Sequence, residues 1–246
     1  MSVQVRARPC LSVSAGSGIA MLRAVIFDFD GVITDSEILH FRAFNAVLAQ
    51  YSFQLTKQEY YKKYLGMSDA DCYRTLITEG RLPIEEPQIN SLVQQKTRVF
   101  EQLARTEGKI IEGVREFLDM LSNAKVPTAI CSGALRAEIE LILEEARLRH
   151  YFDVVVSAEE VKHGKPDPEG FLLALQKLNA LWGEPIAPEC CLVVEDSHWG
   201  LKAARAARMR TIAVTNTYDA AQLQQADKVV RRLDELTMDD LQRICS

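Results

Sequence analysis

Five short runs of apolar, largely β-branched residues, at 22–27, 126–131, 152–156, 191–194 and 211–215, constrain this chain more than any other feature. A strand with one wet face alternates apolar and polar residues. Runs apolar on consecutive residues belong to strands covered on both faces, as in a parallel sheet. Between the runs, segments 113–124, 134–147, 168–179 and 198–208 carry apolar residues at helical spacing. Strand–helix alternation predicts an α/β core, a doubly wound, Rossmann-like parallel sheet.

One interval breaks the rhythm. From 36 to 109 no strand-like run occurs, while Phe41, Phe44, Val47 and Leu48 recur at helical spacing, as do Leu92, Val99 and Leu103 more loosely. That is too long for one crossover. The expected organisation is a core of 21–35 and 110–246 with an inserted α-helical cap at 36–109, linked near Asp35–Ser36 and near Gly108–Ile110. Residues 1–20 contain no acid and are Ser/Gly-rich after an early basic pair. They read as a leader outside the fold or a misassigned start before Met21, with a transit segment as the alternative.

With 29 basic and 34 acidic residues the net charge is −5, which leaves no basic footprint for nucleic acid or an anionic membrane. None of the six cysteines stands in a C-x-x-C pair or with zinc spacing, which fits a reducing cytosol, so a cytoplasmic location and a monomer are expected. No apolar run has the roughly 18 residues of a membrane helix.

Four strand ends carry polar groups suited to chemistry. In Val25-Ile26-Phe27-Asp28-Phe29-Asp30-Gly31, an apolar strand ends in two acids and a glycine. One carboxylate can attack phosphorus and the other can protonate a leaving oxygen. A calcium loop is excluded, since Val32 and Leu39 occupy positions five and twelve. At Ile130-Cys131-Ser132-Gly133, a serine and backbone N–H groups at a helix start suit a phosphate. Lys165, between Gly164 and Pro166-Asp167-Pro168, can neutralise charge between a carboxylate and a phosphoryl group. Glu195 and Asp196 end another strand and offer oxygen ligands to Mg²⁺. Each taken alone also reads as ordinary structure: a solvated acid, an N-cap serine, a loop lysine. Their joint occurrence at strand ends is what points to a site.

The set D-F-D-G-V-I-T-D-S-E, then Ser132, Lys165 and Glu195-Asp196, resembles the four motifs of the haloacid dehalogenase superfamily, over about 21–217. The helical insertion resembles its subgroup that includes β-phosphoglucomutase and phosphoglycolate-phosphatase-like enzymes. The resemblance implies Asp28 as nucleophile and Mg²⁺ ligand, and Asp30 as general acid/base that also offers its backbone carbonyl to the metal. It implies Ser132 and Lys165 as phosphoryl-binding groups, with Gly133 beside them, and Asp196 and Glu195 as Mg²⁺ ligands.

An acid at position 30 separates the chain from the dehalogenase, phosphonatase and transport-ATPase branches, which leaves oxygen-ester phosphatase or mutase. His40 matches β-phosphoglucomutase. In the cap loop, however, Leu65 and Asp69 stand where that enzyme has Lys and Arg around Gly66, and an acid repels a second phosphate. The expectation is therefore a Mg²⁺-dependent phosphatase of a small phosphorylated metabolite. Gly66, Met67 and Asp69 would read the leaving group from the cap. A phosphosugar mutase is the alternative, with Lys62, Lys63 or Arg74 compensating for the lost cations; a binding module on the same fold is the second.

Overall fold

The computed structural model describes residues 21–246 apart from Gly66 and Glu184. The expected leader at 1–20 and the cap-loop residue Gly66 lie outside the described residues. Six strands form one parallel sheet: β1 (Ala24–Phe27), β2 (Thr128–Cys131), β3 (Val154–Val156), β4 (Cys191–Glu195), β5 (Arg210–Val214) and β6 (Lys228–Val230), in the spatial order β3-β2-β1-β4-β5-β6. The last is absent from the sequence reading. It is three residues long and lies at the sheet edge, with Lys228 exposed, so its apolar signal is short and one-sided.

The helices are α1 (Glu37–Leu48), α2 (Lys57–Lys63), α3 (Asp69–Thr78), α4 (Ile89–Glu107), α5 (Val114–Asn123), α6 (Arg136–Glu145), α7 (Glu169–Trp182), α8 (His198–Ala206) and α9 (Met238–Cys245). Consecutive strand residues point to opposite faces. Val25, Phe27, Ile130, Leu192 and Val194 pack with α5, α6 and α9, for example on Phe117, Ile139 and Leu241. Ala24, Ile26, Ala129 and Val193 pack with Phe171 and Leu178 of α7 and Ala204 of α8. Both faces are therefore dry, which is why the strand runs are continuously apolar.

Between β1 and β2 every helix or strand among the described residues is a helix, apart from isolated bridges at Asp30, Thr34 and Ile110. The hydroxyls of Thr56 and Ser68 accept from the N–H groups of Glu59 and Asp71 and start α2 and α3. Phe44, Val47, Tyr60, Tyr73, Leu76 and Leu92 form an apolar cluster of their own. The base of the segment is tied to the sheet side, since Leu39 and Ala43 of α1 and Phe100 and Ala104 of α4 join the core cluster. The two crossing segments run side by side. Ile111 N donates to Ile33 O at 3.0 Å, and Thr34 Oγ1 donates to Lys109 O at 2.9 Å. Among the described residues, no helix is long and apolar enough to cross a membrane.

Candidate active site

Strand order reverses at β1, which has β2 on one side and β4 on the other. Such a switch point opens a crevice beyond the carboxyl ends of the strands. The register pairs Phe27 with Ile130 and with Val194. Asp28 and Ser132, just past β1 and β2, and Glu195, the last residue of β4, therefore lie together at the carboxyl ends of the strands. Asp28 N still donates to Val194 O at 2.9 Å, and the chain then turns as Ile33 N and Thr34 N donate to Phe29 O. Gly31 sits in that turn at φ +77°. A β-carbon there would lie 1.8 Å from Asp196 Oδ2, so conformation and space both require glycine.

Lys165 Nζ lies 2.8 Å from Asp28 Oδ1 and 2.6 Å from Glu195 Oε1. Burial alone would lower its pKa; the Asp28 and Glu195 carboxylates more than offset this and keep it protonated. Glu195 is fully buried. Its Oε2 accepts from the N–H groups of Asp196 and Ser197 and from the Ser197 hydroxyl. It also passes so close to α8 that a β-carbon at Gly200 would lie 1.7 Å from Oε1. Asp196 Oδ2 accepts from the Thr217 hydroxyl.

One carboxylate oxygen from each of Asp28, Glu195 and Asp196 lies within 4.8 Å of the others. Burial, then the Glu195 charge, pushes Asp28 well up and Asp196 up to about 7. One ammonium does not balance three crowded carboxylates, and a hard divalent cation would. An all-oxygen donor set of this kind fits Mg²⁺, which takes a few carboxylates and keeps several waters.

Asp30 is expected to meet the metal through its backbone carbonyl, and its side chain has a different partner. Its carboxylate is outside the triad and accepts from the Ser36 hydroxyl, because the turn at Gly31 separates it from Asp28. Burial raises its pKa, and the Ser36 hydrogen bond opposes the rise. Ser132 and Gly133 line the cleft with Lys165. The helix after Ser132 begins at Arg136 rather than at 134. Ala134 N donates to Ser132 Oγ at 2.9 Å, and the Glu159 carboxylate accepts from Arg136 N at 3.1 Å, which sets the later start.

In the helical insertion, Met67 is exposed. Asp69 and His40 do not stand alone. Both bond a single buried cation, Lys96, at 2.9 Å (Asp69 Oδ2) and 2.6 Å (His40 Nδ1). An ammonium can only donate, so His40 Nδ1 accepts. Burial and then the Lys96 charge hold this imidazole well below its ordinary pKa, and its ring stacks on Phe100 at 4.1 Å. Asp69, expected to face substrate, is also an ion-pair partner of Lys96 while its side chain keeps 29% exposure. Arg74 pairs with Asp71 and Glu86, and Lys63 with Glu79.

Sequence reasoning missed Lys96, Ser36, Thr217 and Asn216. Lys96 had a legible signal, since it interrupts the buried stripe Ile89, Leu92, Lys96, Phe100, Ala104 of α4. A lysine on an apolar stripe requires a partner. Thr217 and Asn216, whose Nδ2 donates to Gly31 O at 2.7 Å, lie about 20 residues past Asp196, and only the β4–β5 pairing brings them back.

Over residues 25–214 the chain matches the haloacid dehalogenase-like hydrolase family. It is 34% identical over 194 residues to a phosphorylated carbohydrates phosphatase of Thermotoga maritima, covering 78% of this chain and 84% of that one. It is 32% identical over 179 residues to the chloroplastic 5-amino-6-(5-phospho-D-ribitylamino)uracil phosphatase of Arabidopsis thaliana, covering 73% of this chain and 46% of that longer protein. The fold is shared with the crystal structure of CbbY from Rhodobacter sphaeroides in complex with phosphate, at TM-score 0.75 and 24% identity, covering 88% and 96% of the two chains.

Proposed function

The chain belongs to the haloacid dehalogenase-like hydrolase family, and from that premise we propose that it is a Mg²⁺-dependent phosphatase of a small phosphorylated metabolite, working through an aspartyl phosphate at Asp28. The observation that carries this reading is the pairing of Asp28 with Lys165 at 2.8 Å beside Glu195 and Asp196, at the topological switch point. Relatives named as phosphatases of phosphorylated carbohydrates and of a phosphoribitylamino uracil support the substrate class.

In this mechanism Ser132, the Gly133 backbone and Lys165 hold the phosphoryl group against Asp28. Asp28 attacks phosphorus and the ester oxygen leaves with the proton of Asp30. Burial raises the pKa of Asp30, which favours the acid form that this step uses. Asp30 then takes a proton from water as the water attacks the aspartyl phosphate, which regenerates Asp28 and releases inorganic phosphate. Asp28, Asp196 and Glu195 would hold the Mg²⁺, which supplies positive charge to the phosphoryl oxygens and relieves carboxylate repulsion. Water is favoured over a sugar phosphate as acceptor because Leu65 and Asp69 replace the expected cations and Asp69 also pairs with Lys96. The insertion at 36–109 acts in this reading as a cap, with Met67 beside the leaving group.

Asp28→Asn tests the proposal. Phosphate release from a panel of phosphomonoesters should fall by about 10³-fold or more, as on loss of a covalent nucleophile, and the intact wild-type protein should show a phosphate adduct in rapid-quench mass spectrometry. Near-normal turnover by the variant rules the mechanism out.

A further inference from the structure

The cleft that holds Ser132, Gly133 and Lys165 is far larger than a phosphoryl group, at about 820 Å³. Beyond Lys165 its lining changes character. Trp199, on the first turn of α8, lines it while 59% exposed, and Leu65 lines it from the helical insertion at 38% exposed. Met67, at 44%, stands two residues from Leu65, and Leu135, at 45%, two residues from Gly133. Seven large apolar side chains are exposed among the described residues, and two of them, Leu65 and Trp199, line this one opening. Exposed apolar groups converging on a concave site mark a ligand surface, whereas scattered ones carry no meaning. Tyr218 also lines the cleft, and its ring lies 4.7 Å from that of His198, beside Trp199.

Several polar groups bordering the same space are already engaged. The Ser197 hydroxyl donates to Glu195 and accepts from Gly200 N. The Thr217 hydroxyl donates to Asp196, Asp167 accepts from Glu169 N, and His163 bonds Glu169. A polyol chain bound here would exchange water for few new hydrogen bonds, and unmatched hydroxyls cost affinity. A planar, weakly polar ring would lose little and would cover the indole face of Trp199.

We propose that the leaving group of the substrate carries an aromatic or heteroaromatic ring that stacks on Trp199 opposite Leu65, with its phosphate at Ser132 and Lys165. This rests on the phosphatase reading above and adds the class of ester. The test is calorimetric titration of Asp28→Asn, in which turnover is blocked, with 2-naphthyl phosphate, glycerol 3-phosphate and inorganic phosphate, with and without Trp199→Ala. Loss of one ring stack should raise the Kd for naphthyl phosphate on the order of tenfold or more relative to the Kd for inorganic phosphate. Glycerol 3-phosphate should follow inorganic phosphate, and Trp199→Phe should restore most of the difference. Equal effects on all three ligands, or no preference of the parent protein for the ring, overturns the assignment. Steady-state kinetics on the Asp28-intact proteins separate the two claims. Turnover without a ring preference refutes the stacking site alone, and ring-dependent binding without turnover refutes the phosphatase reading alone.

Discussion

Asp196→Asn, in the absence of divalent cations, should make the protein more stable at about pH 8, and adding Mg²⁺ should reverse the order. Asp196 is 5% exposed, and its pKa rises from an ordinary 3.8 to about 7 through burial and then the Glu195 charge, against opposing help from Thr217 and Lys165. A carboxyl raised on folding favours the folded state while protonated. Its contribution is complete below about pH 4 and is lost as pH rises through about 7. At about 1.4 kcal/mol per pH unit the gap amounts to about 4 kcal/mol. Part of this belongs jointly to Asp28 and Glu195, so 2–4 kcal/mol is the order expected. Asparagine keeps the shape beside Gly31 and an acceptor for Thr217, but has no charge to bury. For a chain of this size the gain corresponds to roughly 4–16 °C in Tm. Thermal scans of both proteins in EDTA at about pH 5 and about pH 8, repeated with Mg²⁺, read it out. The variant should melt above wild type only in EDTA at the higher pH. With Mg²⁺ the wild type should gain and the variant should not. A variant no more stable than wild type in EDTA at high pH, or equal stabilisation of both by Mg²⁺, refutes the account of Asp196 as an uncompensated metal-seeking carboxylate.

Gly31→Ala should cost about 1–2 kcal/mol from the left-handed backbone alone. Its β-carbon would also displace Asp196, so phosphate release should fall by about 100-fold or more, a loss on the scale of a 1 Å misplacement; full activity would show that Asp196 tolerates movement. Lys96→Met should destabilise the fold by about 1–3 kcal/mol in urea melts, less than a fully buried pair because the Asp69 side chain keeps 29% exposure. Adding Asp69→Asn should recover part of that loss, whereas Asp69→Arg in wild type should destabilise by setting two cations together; additive single effects would dissolve the pair. EDTA should abolish phosphate release and Ca²⁺ should fail to restore it, since a larger, looser coordination shell misplaces nucleophile and phosphorus; turnover unaffected by EDTA would remove the metal from the mechanism.

Much of the architecture was legible because its causes are local. Continuous apolar runs at 22–27, 126–131 and 191–194 follow from strands buried on both faces, and the absence of such runs over 36–109 follows from a segment whose described regular elements are helices. Glycine after Asp28 and Asp30 was readable as a tight turn, although only the fold shows that Asp196 fills the space a side chain would need. The exposed edge strand β6, the helix start at Arg136 and the helix α9 escaped because short or partner-capped elements have weak local signals. At the site, the identities of Asp28, Lys165, Glu195 and Asp196 could be read from the chain, but their separations could not. Lys165 reaches Asp28 and Glu195 only after β1 and β4 pair and the loop beyond β3 folds across them. Sequence also supplied Asp69 as an acid in a cap loop, and charge alone made it a repeller of anions. Tertiary structure added its partner, since α3 and α4 set its carboxylate 2.9 Å from Lys96, a residue 27 positions away whose burial demands a counter-charge. Composition and periodicity determine which faces must be dry; which charges then meet in the remaining space depends on how those faces pack.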